Sequence, residues 1–106
     1  MTLGELIERL ESLPPETVMR PGIGEPHSWR GAYEELSFEP VEETTVGKLL
    51  EEAKGCIGRT FEGYKGGEFT MREFTTVNID ERGHWSNGSA IWELALSAML
   101  GSSHGG

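Results

Sequence analysis

Apolar side chains recur at helical spacing at the start of the chain. One stripe along a helix would contain Leu3, Leu6, Ile7, Leu10 and Leu13. Thr2 and Glu5 match the capping box, in which each side chain accepts the free backbone N–H of the other residue. Pro14-Pro15 should end the helix, because proline has no backbone N–H and disfavours helical geometry in the residue before it.

A second helix is predicted to begin near Thr45. Its apolar face would contain Val46, Leu49, Leu50, Ala53 and Ile57, and the candidate stops are Gly55 and Gly58. Both helices open with the pattern Thr-Leu/Val-Gly-x-Leu. Two interpretations stay open: an internal duplication, or the same helix-start chemistry used twice.

Strand patterns are weaker and lie between and after these helices. Residues 16–19 form a candidate short strand. Residues 33–38 are predicted to be an extended segment near a sheet edge, and Pro40 ends this segment. Residues 68–80 are rich in β-formers, and a bend near Arg72 divides them. Residues 80–88 read as a loop.

The segment 89–100 fits a helix and a strand almost equally well. Its Ala, Leu, Met and Glu residues favour a helix, but its alternating apolar positions leave a hairpin with the preceding strand open. Residues 101–106 are predicted to form a flexible tail. Together, these elements predict a single α+β domain over residues 1–100, with a small, mostly antiparallel sheet and two or three helices.

Composition limits the compartments and partners. The chain has 106 residues, a formal net charge of −9 and a pI of about 4.7. Such acidity argues against direct nucleic-acid binding through a broad basic face, although one arginine can still bind one phosphate. We find no signal-peptide pattern, no apolar run of membrane-spanning length and one cysteine, and therefore expect a cytoplasmic protein. Because a core of this size is modest, we also expect a homo-oligomer.

An irregular loop is predicted at residues 26–33, which read Pro-His-Ser-Trp-Arg-Gly-Ala-Tyr. Arg30 presents a rigid fork of donors matched to phosphate, and an aromatic ring can stack on a base or sugar. The candidate ligand-binding residues are His27, Ser28, Trp29, Arg30 and Tyr33. The competing interpretation pairs Arg30 with a nearby glutamate and places the aromatic rings in the core.

A second glycine-rich segment, residues 61–67, reads Phe-Glu-Gly-Tyr-Lys-Gly-Gly. Its backbone N–H groups beside Lys65 are suited to bind an anion, as in a nest. The segment lacks the spacing of a P-loop and does not introduce a helix, so the sequence does not support nucleotide hydrolysis. The candidate ligand-binding residues are Tyr64, Lys65, Gly66 and Gly67, and the competing interpretation is a tight β-turn.

Catalytic and metal chemistry have little support in the sequence. The three histidines, His27, His84 and His104, form no metal-binding spacing with Cys56. Cys56 lies on the apolar side of the second helix, where a cysteine is usually a core residue. Ser28 beside His27 lacks a third partner. We therefore expect a non-enzymatic protein without cofactor or metal, with a paired-carboxylate hydrolase as the alternative.

An acidic run between residues 34 and 52 contains seven glutamates against Lys48 alone. These glutamates are Glu34, Glu35, Glu39, Glu42, Glu43, Glu51 and Glu52. Such a run usually forms a solvated face. The sharper interpretation is a negative surface that imitates a nucleic-acid backbone and occupies a basic groove of another protein.

The two glycine-containing motifs together resemble those of small, largely uncharacterised tailed-bacteriophage proteins. The resemblance covers residues 22–80. It rests on Gly-x-Pro-His-Ser-Trp-Arg-Gly-x-Tyr-Glu-x-Leu-x-Phe-Glu-Pro at residues 24–40, and on Thr-Val-Gly at residues 45–47 followed by Phe-Glu-Gly-Tyr-Lys-Gly-Gly at residues 61–67. Trp29 stands where tyrosine is more usual in that group, and the C-terminal third lies outside the resemblance. The resemblance implies a phage origin, and with it we expect a role in counter-defence in the cytoplasm of an infected host.

Two functions are compatible with that origin. A sponge that sequesters a phosphorylated, nucleotide-like immune signal of the host needs cations and an aromatic platform, which the two motifs supply. An inhibitor that occupies the nucleic-acid groove of a host defence nuclease, as an anti-CRISPR protein does, needs the acidic surface instead. We favour the sponge, because the His-Ser-Trp-Arg cluster is less expected than the glutamates.

Overall fold

Three helices and eight short strands form in the part of the chain that the computed structural model describes, residues 1–29, 32–62, 68–81 and 84–103. In chain order they are α1 (Leu3–Glu11), β1 (Val18–Met19), β2 (Gly22–Trp29), β3 (Ala32–Val41), β4 (Thr44–Thr45), α2 (Val46–Cys56), β5 (Thr60–Glu62), β6 (Glu68–Thr70), β7 (Val77–Glu81), β8 (His84–Asn87) and α3 (Ser89–Ser103). The main sheet has the order β2-β3-β7-β8, and β1 pairs with β4 and β5 with β6. Only β3 and β7 are parallel among these pairs, so the predicted α+β fold with a mostly antiparallel sheet is confirmed.

Threonine caps start α1 and α2, as the sequence predicts. Thr2 Oγ1 accepts the backbone N–H of Glu5, and Thr45 Oγ1 accepts that of Lys48, both at 3.2 Å. The Glu5 carboxylate accepts a hydrogen bond from the Thr2 hydroxyl rather than from the Thr2 backbone N–H. Half of the predicted capping box therefore forms, and a cap of this kind stabilises a helix by about 1 kcal/mol.

Helix α1 packs against α2 and α3, and α2 packs against β2 of the main sheet. Among the side chains that the structure describes, the largest fully buried ones are Leu3, Leu6, Leu10, Met19, Ile23, Leu36, Phe38, Val46, Leu49, Met71, Val77 and Ile91. Burial of each large aliphatic side chain stabilises the fold by roughly 1.5–3 kcal/mol. This core accounts for the spacing that made both helices recognisable in the sequence.

The glycines of the repeated Thr-x-Gly opening permit two similar close approaches of the backbone. The Gly4 N–H donates to the Glu73 carbonyl at 2.8 Å, and the Gly47 N–H donates to the Pro15 carbonyl at 2.9 Å. A Cβ at either glycine would lie 3.1 Å from that same carbonyl oxygen. The two openings therefore share a tertiary contact as well as a cap, because each helix begins against a loop that is distant in the sequence.

The end of α2 differs in one detail from the prediction. The helix continues through Gly55 to Cys56, so Gly55 is not a stop. A glycine inside a helix costs only about 1 kcal/mol, which the surrounding core outweighs. Gly58 follows the C-cap with a φ of +80°, a left-handed conformation that glycine adopts without a steric penalty, and its role as a stop is confirmed.

β3 is an interior strand rather than the edge segment that Pro40 indicated. It lies between β2 and β7 and continues through Pro40 to Val41. Pro40 pairs with Ile23 of β2, but the pairing of β3 with β7 already ends at Phe38. The missing N–H of proline therefore removes no hydrogen bond between β3 and β7.

The C-terminal part also corrects the sequence-based description. Residues 80–88, predicted as a loop, contain the end of β7 and all of β8, which pair as an antiparallel hairpin. A four-residue strand such as β8 has too short a pattern to recognise without its partner. Residues 89–100 are helical, so the alternative hairpin at this position is wrong. α3 continues to Ser103, into the predicted tail, and residues 104–106 lie outside the described residues.

Replacing Gly88 tests the packing of β7 against the start of α3. A Cβ at this buried glycine would lie 2.2 Å from the Val77 carbonyl oxygen, so Gly88→Ala must displace backbone. We expect a destabilisation of about 1–3 kcal/mol in urea unfolding. Gly55→Ala is the matched control, because nothing lies within 4 Å of its Cβ position and alanine should stabilise the helix. Equal effects of the two substitutions would contradict this packing.

Candidate functional site

Two paired β-strands, not the irregular loop expected from the sequence, contain the described part of the His-Ser-Trp-Arg motif and Tyr33. Residues 27–29 belong to β2, and Tyr33 belongs to β3. Trp29 pairs with Ala32, so positions 30 and 31 connect the two strands. Arg30 itself lies outside the described residues, as do the side-chain positions of Ser28, Trp29 and Tyr33. Because His27 lies in a strand, the position of His27 in the strand register decides which face of the sheet its side chain points to.

A β-bulge lies immediately before His27. An unbroken register from Gly24 onward would place His27 opposite Leu36, in a core-facing row. Instead His27 pairs with Ser37, because β2 contains one residue more than β3 between the paired positions. Successive strand residues point to opposite faces, so this one extra residue moves His27 to the other face of the sheet.

Three polar residues then stand side by side across the sheet: His27, Ser37 and Asn78, which we call the polar row. Ser37 and Asn78 are fully buried. The Ser37 hydroxyl donates to Asn78 Oδ1, and Asn78 Nδ2 donates to Glu35 Oε1 at 3.3 Å. Burial of polar groups is costly unless they are hydrogen-bonded, and this network satisfies both buried side chains and reaches the partly exposed Glu35. His27, also partly exposed, lies beside Ser37 in the strand register.

The His27 ring is oriented by a local hydrogen bond. Its Nδ1 lies 3.2 Å from the backbone carbonyl oxygen of Glu25. A carbonyl can only accept, so Nδ1 carries the proton, and Nε2 is the acceptor nitrogen of the neutral ring. The polar row and Glu35 thus combine an imidazole, a hydroxyl, an amide and a carboxylate, a set suited to hydrogen bonding.

The second glycine-rich motif belongs to a neighbouring hairpin. Glu62 of β5 pairs with Glu68 of β6, so residues 63–67 connect these strands. Tyr64, Lys65, Gly66 and Gly67 lie outside the described residues. β2 lies beside β5 and β3 beside β6. The fold therefore places the strands that carry the two motifs next to each other.

The β5–β6 hairpin also carries a cation that the sequence analysis did not single out. The Arg59 guanidinium lies 4.6 Å from the centroid of the Phe61 ring. Phe61 packs against the core, and the hydroxyls of Thr60 and Thr70 hydrogen-bond across the strands at 3.0 Å. A stacked arginine keeps its N–H edges available for further hydrogen bonds.

Nucleophilic and metal chemistry find no support in the described residues. Cys56 is buried, as expected for a core cysteine, and burial raises the pKa of its thiol from 9.0 to about 11. Ser37 is fully buried and its hydroxyl is bonded to Asn78. Within the described ranges, no three His, Cys, Asp or Glu side chains are arranged to hold a metal ion. The described part of the site can bind through hydrogen bonds, but it presents no activated nucleophile.

The acidic run divides between surface and structural positions. Glu42, Glu43 and Glu51 are exposed, and Glu43 forms an ion pair with Arg20 at 2.8 Å. Glu52 Oε2 accepts the Glu25 backbone N–H at 3.2 Å, and Glu35 accepts from Asn78. Glu35 and Glu52 therefore form structural hydrogen bonds with the sheet and its bulge, in addition to contributing negative charge.

Comparisons with known proteins leave the class to be defined by fold and site. No protein-family model matches the chain, no curated protein is significantly similar to it, and no solved structure matches it significantly. Among the described helices, none combines the length and apolar character needed to cross a membrane. The protein is thus a small α+β domain with a polar row across β2, β3 and β7, and the β5–β6 hairpin contacts two of these strands.

Sequence reasoning found His27 but missed its partners. Ser37 and Asn78 are ordinary polar residues in strand patterns, and Glu52 is one of many glutamates. Their positions depend on pairing between segments far apart in the chain. One signal was present: polar residues inside the apolar segments at 36–38 and 77–79 indicate strand positions that face away from the apolar core.

The Ser37–Asn78 pair can be tested by a double-mutant cycle. Asn78→Ala leaves the buried Ser37 hydroxyl without its acceptor, so we expect a loss of about 1–3 kcal/mol in the free energy of unfolding. The double variant Ser37→Ala/Asn78→Ala should lose clearly less free energy of unfolding than the two single variants together, because both substitutions remove the same hydrogen bond. Strictly additive effects in denaturant unfolding would show that the pair is not coupled.

Cys56 predicts a specific dependence of stability on pH. The folded-state pKa of about 11 lies above the ordinary 9.0, so the protonated thiol favours the folded state. This contribution is complete below pH 9 and is lost as the pH rises to 11. The free energy of unfolding should therefore fall more steeply over that range for the wild-type protein than for Cys56→Ala. Parallel curves would contradict the burial of the thiol.

Proposed function

We propose that the protein is a non-enzymatic binding protein that sequesters a phosphorylated, nucleotide-like small molecule. In keeping with the resemblance to tailed-bacteriophage proteins, the ligand would be a host immune signal, and the protein would act in the cytoplasm of the infected cell. Arg30 and Lys65 would bind phosphate, and Trp29 or Tyr64 would stack on the base. A homo-oligomer would place the site at a subunit interface.

The observation that supports this proposal most directly is the adjacency of the two motif-bearing hairpins. β2 lies beside β5 and β3 beside β6, although the motifs are separated by about thirty residues in the chain. A ligand that carries both a planar ring and phosphate needs stacking and cationic groups from more than one segment. Neighbouring hairpins are a common source of such groups, because their turns project from a rigid sheet.

The polar row supports the same class of ligand. His27 and Glu35 are partly exposed, and the buried Asn78 amide donates a hydrogen bond to Glu35. Imidazole and carboxylate groups can hydrogen-bond to the edge of a base or to sugar hydroxyls.

Inhibition of a nuclease by the acidic run is the weaker alternative. Glu43 is paired with Arg20, and Glu35 and Glu52 accept hydrogen bonds from other parts of the fold. Partial neutralisation and internal bonding reduce the contiguous charge that a nucleic-acid mimic requires. The alternative becomes the preferred function only if the ligand test below is negative.

Arg30→Ala is the decisive variant for the proposed function. We would screen the wild-type protein by thermal shift and calorimetry against mononucleotides, cyclic dinucleotides and ADP-ribose. A ligand at 100 times its Kd should stabilise the fold by about 2.7 kcal/mol. Loss of one charge-assisted hydrogen bond should weaken binding by roughly 10- to 150-fold in Arg30→Ala, and Lys65→Ala should act in the same direction.

Arg72→Ala is the matched control, because it removes one positive charge from the exposed loop after β6, outside both glycine-containing motifs. It should bind the same probe as tightly as the wild-type protein. Absence of binding by every probe, or equal affinity of Arg30→Ala and wild type, would refute the proposed function. A large drop in melting temperature for Arg30→Ala without any ligand would instead assign Arg30 a structural ion pair.

A further inference from the structure

We propose that Glu52, on α2, is a positioning residue that holds the β2 bulge and thereby directs His27 to the polar row. The link is a hydrogen bond of 3.2 Å from the Glu25 backbone N–H to Glu52 Oε2. Glu25 is one of the two residues that β2 places opposite a single residue of β3. Helix α2 therefore contacts the main sheet at the point where the register changes.

The backbone at Glu25 needs support from outside its own strand. Its φ is +49°, in the left-handed region that residues with a Cβ rarely adopt. Bulges with a left-handed first residue usually contain glycine there, because glycine has no steric penalty. A glutamate in this conformation is intrinsically disfavoured, and such strain persists only where surrounding contacts enforce it. The bond from the Glu25 N–H to Glu52 is such a contact.

The residues on either side of Glu25 fit the same arrangement. A Cβ at Gly24 would lie 3.3 Å from Glu52 Oε2, so glycine leaves space for the carboxylate. Pro26 has no backbone N–H, and a bulge on an edge strand such as β2 tolerates this loss. The Gly-Glu-Pro sequence before His27 therefore suits a bulge that receives a carboxylate from α2.

The bulge and the imidazole are joined through one residue. Glu25 donates its backbone N–H to Glu52, and its carbonyl accepts from His27 Nδ1 at 3.2 Å. Loss of the Glu52 contact would remove support for both the conformation of Glu25 and the orientation of the ring. The importance of this orientation for ligand binding rests on the proposed function, but the positioning itself does not.

Nuclear magnetic resonance of the unliganded, ¹⁵N-labelled full chain tests this inference. The two readouts are the hydrogen-exchange rate of the Glu25 amide and the ¹⁵N chemical shifts of the His27 ring, which report its tautomer. In Glu52→Ala we expect Glu25 exchange to accelerate by about tenfold or more, with a change in the His27 signals. Glu52→Gln should retain most of the wild-type behaviour, because an amide oxygen still accepts the bond.

Two further variants separate positioning from general destabilisation. Glu51→Ala removes the adjacent, exposed glutamate of α2 and should leave both readouts unchanged. Glu25→Gly relieves the left-handed strain, so His27 should recover wild-type signals in Glu25→Gly/Glu52→Ala even though the carboxylate is missing. If Glu52→Ala alone folds poorly, the His27 signals of this double variant still test the positioning role of Glu52.

The inference is wrong if Glu52→Ala leaves Glu25 exchange and the His27 signals as in the wild type. It is also wrong if Glu51→Ala changes them equally, or if the added glycine brings no recovery. None of these outcomes depends on a ligand. Failure of every nucleotide probe to bind would therefore remove the proposed function while leaving the role of Glu52 to be judged by these signals alone.

Discussion

The attachment of the chain start to β7 is the constraint on which the remaining structure depends. The Val77 N–H donates to the Met1 carbonyl at 3.0 Å, and the Leu3 N–H donates to the Thr75 carbonyl at 2.8 Å. β7 pairs with β3 in parallel over three positions. Parallel neighbours are not joined by a tight turn that could set their register. The contacts with the start of α1 supply that missing restraint, because they hold β7 where it enters the sheet.

This restraint decides where polar groups lie. A slip of one residue between β3 and β7 would turn Asn78 toward the core and an isoleucine or valine toward the polar face. The correct register instead pairs Asn78 with Ser37, where both side chains are buried and hydrogen-bonded. The bulge in β2 places His27 opposite Ser37, on the other side of β3. Two independent features of backbone geometry thus assemble one polar row.

The acidic character of the chain also looks different once these contacts are considered. A net charge of −9 indicates a solvated or partner-binding surface when only composition is known. In the fold, Glu35 and Glu52 accept hydrogen bonds from Asn78 and from the backbone of Glu25. Carboxylates that stabilise a sheet and its bulge cannot be assigned by counting charges, because their role depends on which donors face them.

The sequence by itself determined the features that depend on neighbouring residues. Helices α1 and α2 were predictable because their apolar spacing and threonine caps act within four positions of the chain, and Cys56 was placed correctly for the same reason. Strand β8, the interior position of β3 and the assembly of the site were not predictable. Ser37 and Asn78 are 41 positions apart, and Glu25 and Glu52 are 27 apart. Only the tertiary structure decided these contacts, because strand register and the bulge arise from pairing between distant segments and carry no local pattern of their own.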